Sequence, residues 1–122
     1  MGTLTPLPLF FDFIPLDEVL AQPDGTGLIL VIRGIVFDPP PELPFLEGET
    51  PTQWRVRRRT QLAQLREPTY RDTMGKVAAA GLVVVNSSPT SCSVVGHGTV
   101  GTLRGLLERF PRDRVCVSAY RT

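Results

Sequence analysis

Cysteine, histidine, lysine and asparagine are all scarce in this chain, and most of these scarcities remove a class of function. Among its 122 residues there are two cysteines (Cys92 and Cys116), one histidine (His97), one lysine (Lys76) and one asparagine (Asn86). Two cysteines and a single histidine make neither a zinc site nor a disulfide framework. Each cysteine sits in a β-like apolar run, where a free, buried thiol is the expectation. Nucleophilic chemistry needs a base within hydrogen-bond reach, and Cys92 standing five residues before His97 in sequence supplies no such geometry. No catalytic residue, metal ligand or cofactor site is therefore expected. Long apolar runs are missing too. The longest, residues 28–37, is interrupted by Arg33 and falls far short of the ~20 residues a membrane-spanning helix needs. The N-terminus has no basic segment and is broken by Pro6, Pro8 and Pro15, unlike a secretory signal. Neither a signal nor a membrane span is expected, and composition assigns no compartment.

What is present is an ordinary folding composition, 42% hydrophobic and 20% charged, with twelve prolines and eleven glycines that favour short elements and extended arms. The charge is divided along the chain. Residues 1–49 carry eight acids against one base, Arg33, a net of −7. Residues 50–122 carry twelve bases against four acids, a net of +8. Opposite charge of this kind steers association and sets register, either between chains or within one.

The pattern of residues predicts the following elements. Residues 7–14 (LPLFFDFI) read as an aromatic strand, and residues 16–21 as a short helix with Asp17 and Glu18 at its positive end. Pro23-Asp24-Gly25 is a turn. Residues 27–37 (GLILVIRGIVF) are the clearest strand, and their continuous apolar character predicts burial on both faces. Residues 38–50 form a proline-studded loop in which Phe45 and Leu46 stand out as apolar. Residues 52–66 read as a helix capped by Thr50 and Pro51 and ended by Pro68. A helix at 71–80 closed by Gly81, a short buried strand at 82–85, a turn at 86–90, a strand at 93–95, a helix at 99–110 and a strand at 114–119 complete the chain. Helix and strand alternate through the second half, so the expected fold is a mixed α/β (α+β) single domain. Its central strands are 27–37, 82–85 and 114–119, with packed helices and proline-rich arms. A small β-barrel of OB type, with 27–37 and 52–62 as long strands, is the competing architecture.

Two constellations invite function. Arg55, Arg57, Arg58 and Arg59, beside Trp54, form a basic run whose guanidinium groups suit carboxylates or phosphates. Nucleic acid is one possible partner, through phosphate neutralisation and stacking on Trp54. The sequence pI of 7.8 lies well below that of a dedicated nucleic-acid binder. The acidic half of this chain, or of another subunit, suits the same arginines equally well. The second constellation is Gly96-His97-Gly98-Thr99-Val100-Gly101, which has G-x-G-x-x-G spacing between a strand and a helix, the context of a phosphate-binding turn. The surrounding residues 93–107 (SVVGHGTVGTLRGLL) also resemble the strand–His-Gly–helix segment of the histidine phosphatase family. That resemblance implies that His97 flanks a transferred phosphoryl group. The family's nucleophile lies in an Arg-His-Gly motif near the N-terminus, and this chain has no second histidine to serve as one.

The reading these residues favour is a non-catalytic structural or accessory subunit of a larger assembly, such as a virion or organellar complex. It would dock through complementary charged surfaces and through Phe45, Leu46, Trp54 and the arginine run. Its partners would be other protein subunits, copies of itself among them. Alternatives are a nucleic-acid-binding module using the arginines and a phosphate- or nucleotide-binding domain using Gly96, His97, Gly98 and Gly101.

Overall fold

The strongest strand signal in the chain does not fold as one piece. In the computed structural model, which describes residues 5–6, 13–38 and 40–121, residues 27–37 divide into β2 (Gly27–Ile32) and β3 (Ile35–Val36), separated at Arg33 and Gly34. Past Ile32 the backbone changes partners: Arg33 N–H donates to the Arg114 carbonyl and Ile35 N–H to that of Ser91. The remaining elements are β1 (Thr5–Pro6), α1 (Leu16–Leu20), α2 (Pro51–Ala79), β4 (Val83–Ser88), β5 (Ser93–Thr99), α3 (Val100–Arg109), a 3-10 turn at Arg112–Arg114 and β6 (Val115–Tyr120). β1 pairs with β3 alone. Of the strand expected at 7–14, residues 7–12 lie outside the described residues, and Ile14 forms a single bridge to Val117.

β2, β4, β5 and β6 form one antiparallel sheet in the order β4-β5-β2-β6. From β2 onward the main elements run β-α-β-β-α-β, the split-βαβ or ferredoxin-like arrangement. The expected mixed α+β class is thus observed. The strands are antiparallel because β4 and β5 form a hairpin, which reverses the chain between the two helical crossovers. This places β2 and β5 in the centre and β4 and β6 at the edges. Of the three strands expected to be central, only the one starting at Gly27 is so placed. The strand starting at Ser93 takes the other central place, because the β4–β5 hairpin folds it in beside β2.

Helices cover one face of this sheet. Leu28, Leu30 and Ile32 of β2 are fully buried, as are Val94, Val100, Leu103, Leu106 and Val117, whereas Ile29 and Val31 are only half-buried. Burial on both faces of residues 27–37 is therefore corrected to alternation, since α1, α3 and the end of α2 pack on the even-numbered side. α3 contributes Leu103 and Leu106, one turn apart and backed by Phe110. Each such leucine stabilises the fold by roughly 1.5–3 kcal/mol through burial.

α2 begins as its caps dictate. Thr50 Oγ1 accepts from Gln53 N–H, Gln53 Oε1 accepts from Thr50 N–H, and Pro51 is the first helical residue. It does not stop at Pro68 but runs on through Ala79, joining the two expected helices into one. An interior proline deletes one backbone bond and costs about 3 kcal/mol relative to alanine. Here both flanks are anchored, by Trp54 and Arg57 on one side and by buried Thr73 and Val77 on the other. The helix ends at Gly81, whose φ of +85° suits glycine. Gly81 N–H bonds the Ala78 carbonyl and Leu82 N–H that of Val77, the paired bonds of a Schellman cap. After this cap, only Leu82 enters the core. The buried strand expected at 82–85 is instead an edge strand that exposes Val83, Val84 and Val85, and it takes in residues 86–88 of the turn expected at 86–90.

Candidate interaction surface

The arginine run lies on α2, and helical geometry divides it. At 100° per residue, Trp54, Arg57, Arg58 and Gln61 share one side, while Arg55 and Arg59, four residues apart, share another. The first side holds the proline loop. Trp54 Nε1 donates to the Leu43 carbonyl at 2.8 Å. Arg57 reaches both oxygens of Glu49, at 2.6 and 2.8 Å, and the Pro44 carbonyl at 2.8 Å. Arg58 donates to the Pro41 carbonyl at 2.8 Å and to Gln61 Oε1 at 2.6 Å. Leu46 N–H donates to Glu49 Oε1 at 3.1 Å.

The electrostatics follow from these contacts. The Arg57 guanidinium hydrogen-bonded to Glu49, joined by the Leu46 N–H, holds the carboxyl below the usual carboxylate range, against a smaller opposing effect of burial. The same bond raises Arg57. The fork-to-carboxylate geometry is the kind for which arginine is suited and lysine is not.

Tied down in this way, the loop still presents apolar groups to solvent. Phe45 stacks on Trp54 with ring centroids 5.1 Å apart and planes 14° from parallel, yet is 58% exposed. Leu46 is 57% exposed, and Val56 and Leu65 stand exposed along α2. Arg55 and Arg59 are exposed and make no hydrogen bond or ion pair with any described residue. Arg59 also lines an open cleft of about 540 Å³ between α2 and the β4–β5 turn, with Leu62, Ala63, Arg66, Tyr70 and Pro89 among its walls.

Part of the divided charge of the sequence is folded against itself. Glu49–Arg57, Asp24–Arg104 at 3.2 Å and Asp17–Arg112 at 2.6 Å each join an acid of the first 49 residues to a base of the remainder. The last two pairs are exposed and contribute little stability, about 0–1 kcal/mol each. They join α1 and the turn after it to the second half, while Val19, Leu16 and Leu20 pack α1 onto the core.

The glycine motif is placed differently from a phosphate-binding turn. Gly96, His97 and Gly98 belong to β5, and α3 starts beyond them at Val100. A Cβ on Gly96 would lie 2.4 Å from the Val83 carbonyl oxygen, and one on Gly98 would lie 2.7 Å from Thr102 Oγ1. These two glycines therefore allow close packing of β4 and α3. The N–H groups a phosphate would use at the start of α3 already have partners: Val100 donates to the Thr26 carbonyl, Gly101 to that of Asp24, and Thr102 to Thr99 Oγ1. His97 is half-buried, pairs with Ile29 and Val83 across the sheet, and has Nδ1 2.6 Å from Arg121 Nη1.

Burial pushes both cysteine thiols up, Cys92 from within the core and Cys116 from the partly covered face, and neither is disulfide-bonded. A thiol held protonated is a poor nucleophile. Among the described residues no three His, Cys, Asp or Glu side chains gather as metal ligands would, and no helix is long and apolar enough to cross a membrane.

Two features escape a reading of sequence. Arg114 is half-buried, its side chain donating to the Arg33 and Cys92 carbonyls and lying 5.2 Å over the Phe110 ring. Burial lowers its pKa despite these contacts. Nothing in the local sequence distinguishes it from the solvated arginines. The exposed valines of β4 are the other feature, and the run Val83, Val84, Val85 signalled a strand without signalling its place at an edge. Comparison with protein-family models, with curated proteins and with solved structures finds no match to the chain.

Proposed function

We propose that this chain is a non-catalytic accessory subunit that docks on another protein through the face made by residues 43–50 and the first half of α2. The observation that carries this reading is the exposure of Phe45 and Leu46 on a loop already held by Trp54, Arg57 and Arg58. Large apolar side chains fixed in solvent lose little further freedom on binding, so more of their contact energy is retained. Adjoining exposed apolar groups mark interaction sites more often than isolated ones do. Arg55 and Arg59 flank the same face with no partner among the described residues, which favours a partner surface carrying carboxylates.

The test is the native mass of tagged chain isolated from its source, with wild type compared with a Phe45→Asp, Leu46→Asp variant. The expected result is a discrete complex of fixed stoichiometry that the double variant loses while keeping its fold by circular dichroism. A monomeric wild type, or a complex indifferent to the substitutions, overturns the proposal.

The pair Arg55 and Arg59 also favours a second reading, nucleic-acid binding. Two phosphate contacts, one from each arginine, would give a log–log salt slope of about −2 in an anisotropy titration with oligonucleotides. The absence of binding at ~50 mM salt eliminates it.

A further inference from the structure

The two edges of the four-stranded sheet are treated differently by the chain. At the β6 edge, Ile14 bridges Val117, its N–H donating to the Val117 carbonyl at 3.0 Å. At the β4 edge, no described segment pairs with the outer side of the strand. Sheet edges are ordinarily blunted by charged side chains, proline, short length, β-bulges or a covering segment, because an unpaired row of N–H and C=O groups is a template for another strand. Of these, β4 has only a bulge among the described residues. β4 is six residues long, carries no charge and no proline, and exposes Val83 at 52% and Val85 at 68%. Its one irregularity is a shift of register against β5 between Val84 and Asn86, which leaves Val85 as the extra residue.

We propose that two copies of this chain pair antiparallel through β4, forming a continuous eight-stranded sheet with the helices of both copies on one face. A second copy is the occupant that these observations favour. Under a two-fold axis a strand meets itself, so any charge near the axis would face its own like, and β4 has none. About an axis at the centre of the six-residue strand, Val83, Val84 and Val85 would lie opposite Ser88, Ser87 and Asn86, so the seam sets β-branched residues against small polar ones with no charge opposed. Closure also follows, because a strand that pairs with its own copy about a two-fold axis uses that edge in both copies at once, which gives a dimer. A six-residue seam is about 20 Å long. It would bury an area near the low end of specific interfaces, so dissociation in the micromolar range is expected. This surface is separate from Phe45 and Leu46, and the two proposals stand or fall independently.

The experiment is sedimentation of the full chain from about 1 to 200 μM, with amide exchange of β4 followed over the same range. The expected result is a rise from the 13.4 kDa of one chain toward twice that mass, with protection of the β4 amides rising in parallel. Val85→Lys, at an exposed position, should hold the protein monomeric throughout without lowering its melting temperature when dilute. A wild type that stays monomeric at 200 μM overturns the proposal. So does a dimer whose β4 amides gain no protection, a measurement that needs no variant. If Phe45→Asp, Leu46→Asp abolishes self-association while Val85→Lys leaves it intact, the dimer uses the other face and this assignment is wrong.

Discussion

Replacing the glycines of the G-x-G-x-x-G stretch one at a time separates a packing role from a ligand-binding one. At Gly96 an added Cβ would sit 2.4 Å from the Val83 carbonyl oxygen and 2.9 Å from Leu82 Cγ, where real Cβ contacts essentially never fall below 3.0 Å. The nearer obstacle is backbone of the adjacent strand, so β4 must move by at least the difference. Forced overpacking of this kind costs about 2–3 kcal/mol. For a domain of this size that lowers the melting temperature by about 6–15 °C. Gly98→Ala meets the Thr102 side chain, which also forms the cap of α3, and should cost somewhat less because a side chain can yield more readily than backbone. Gly101 lies in the first turn of α3 with its nearest neighbour 3.5 Å from a built Cβ. Its replacement by alanine should stabilise by about 0.4–1 kcal/mol through the unfolded chain. Thermal unfolding by circular dichroism, with and without ATP or inorganic phosphate, reads all three. The expected order is Gly101→Ala above wild type, then Gly98→Ala, then Gly96→Ala, with no shift from either additive. A larger loss at Gly101 than at Gly96, or a phosphate-dependent rise removed by Gly101→Ala, would refute the packing account.

Glu49 supports a pH prediction. Because Arg57 holds its carboxyl below the usual value, the stability it contributes is present above the ordinary carboxylate pKa and is lost as pH falls through the lowered one. Trp54 emission between pH 7 and 3 should therefore report loosening of the loop only at the acid end. Glu49→Gln should show a loosened loop already at neutral pH and a flat profile below it; an acid transition identical to wild type would remove Glu49 from the explanation. Pro68→Ala should restore the missing helical bond to the Gln64 carbonyl and raise stability by about 1–3 kcal/mol. A fall in melting temperature would show instead that the rest of the fold depends on the helix geometry proline imposes.

Much of the local structure is determined by the sequence itself. Thr50, Pro51 and Gln53 specify the start of α2, Gly81 the end, Thr99 and Thr102 the start of α3, and Pro23-Asp24-Gly25 the turn before β2. Each is an exchange of hydrogen bonds, or a φ preference, among residues a few positions apart, so its outcome does not wait on the rest of the chain. The mixed α+β class follows from the resulting alternation of elements. Features that depend on distant partners were settled only by the tertiary structure. Pro68 ends a helix by local preference, but anchoring on both flanks carries α2 through it. Three consecutive valines at 83–85 favour a strand anywhere, and only the order β4-β5-β2-β6 made that strand an exposed edge. The arginine run was visible as charge. Helical phase, together with the return of the loop onto α2, gave Arg57 and Arg58 to Glu49, Pro44 and Pro41 and left Arg55 and Arg59 without a partner among the described residues. The glycines of residues 96–101 were legible as a spacing, but whether that spacing cradles a ligand or admits a neighbouring strand depends on what lies within 3 Å of a Cβ added at each. Residues far off in the chain, Leu82 and Val83 at Gly96 and Asp24 and Thr26 at the helix start, decided that.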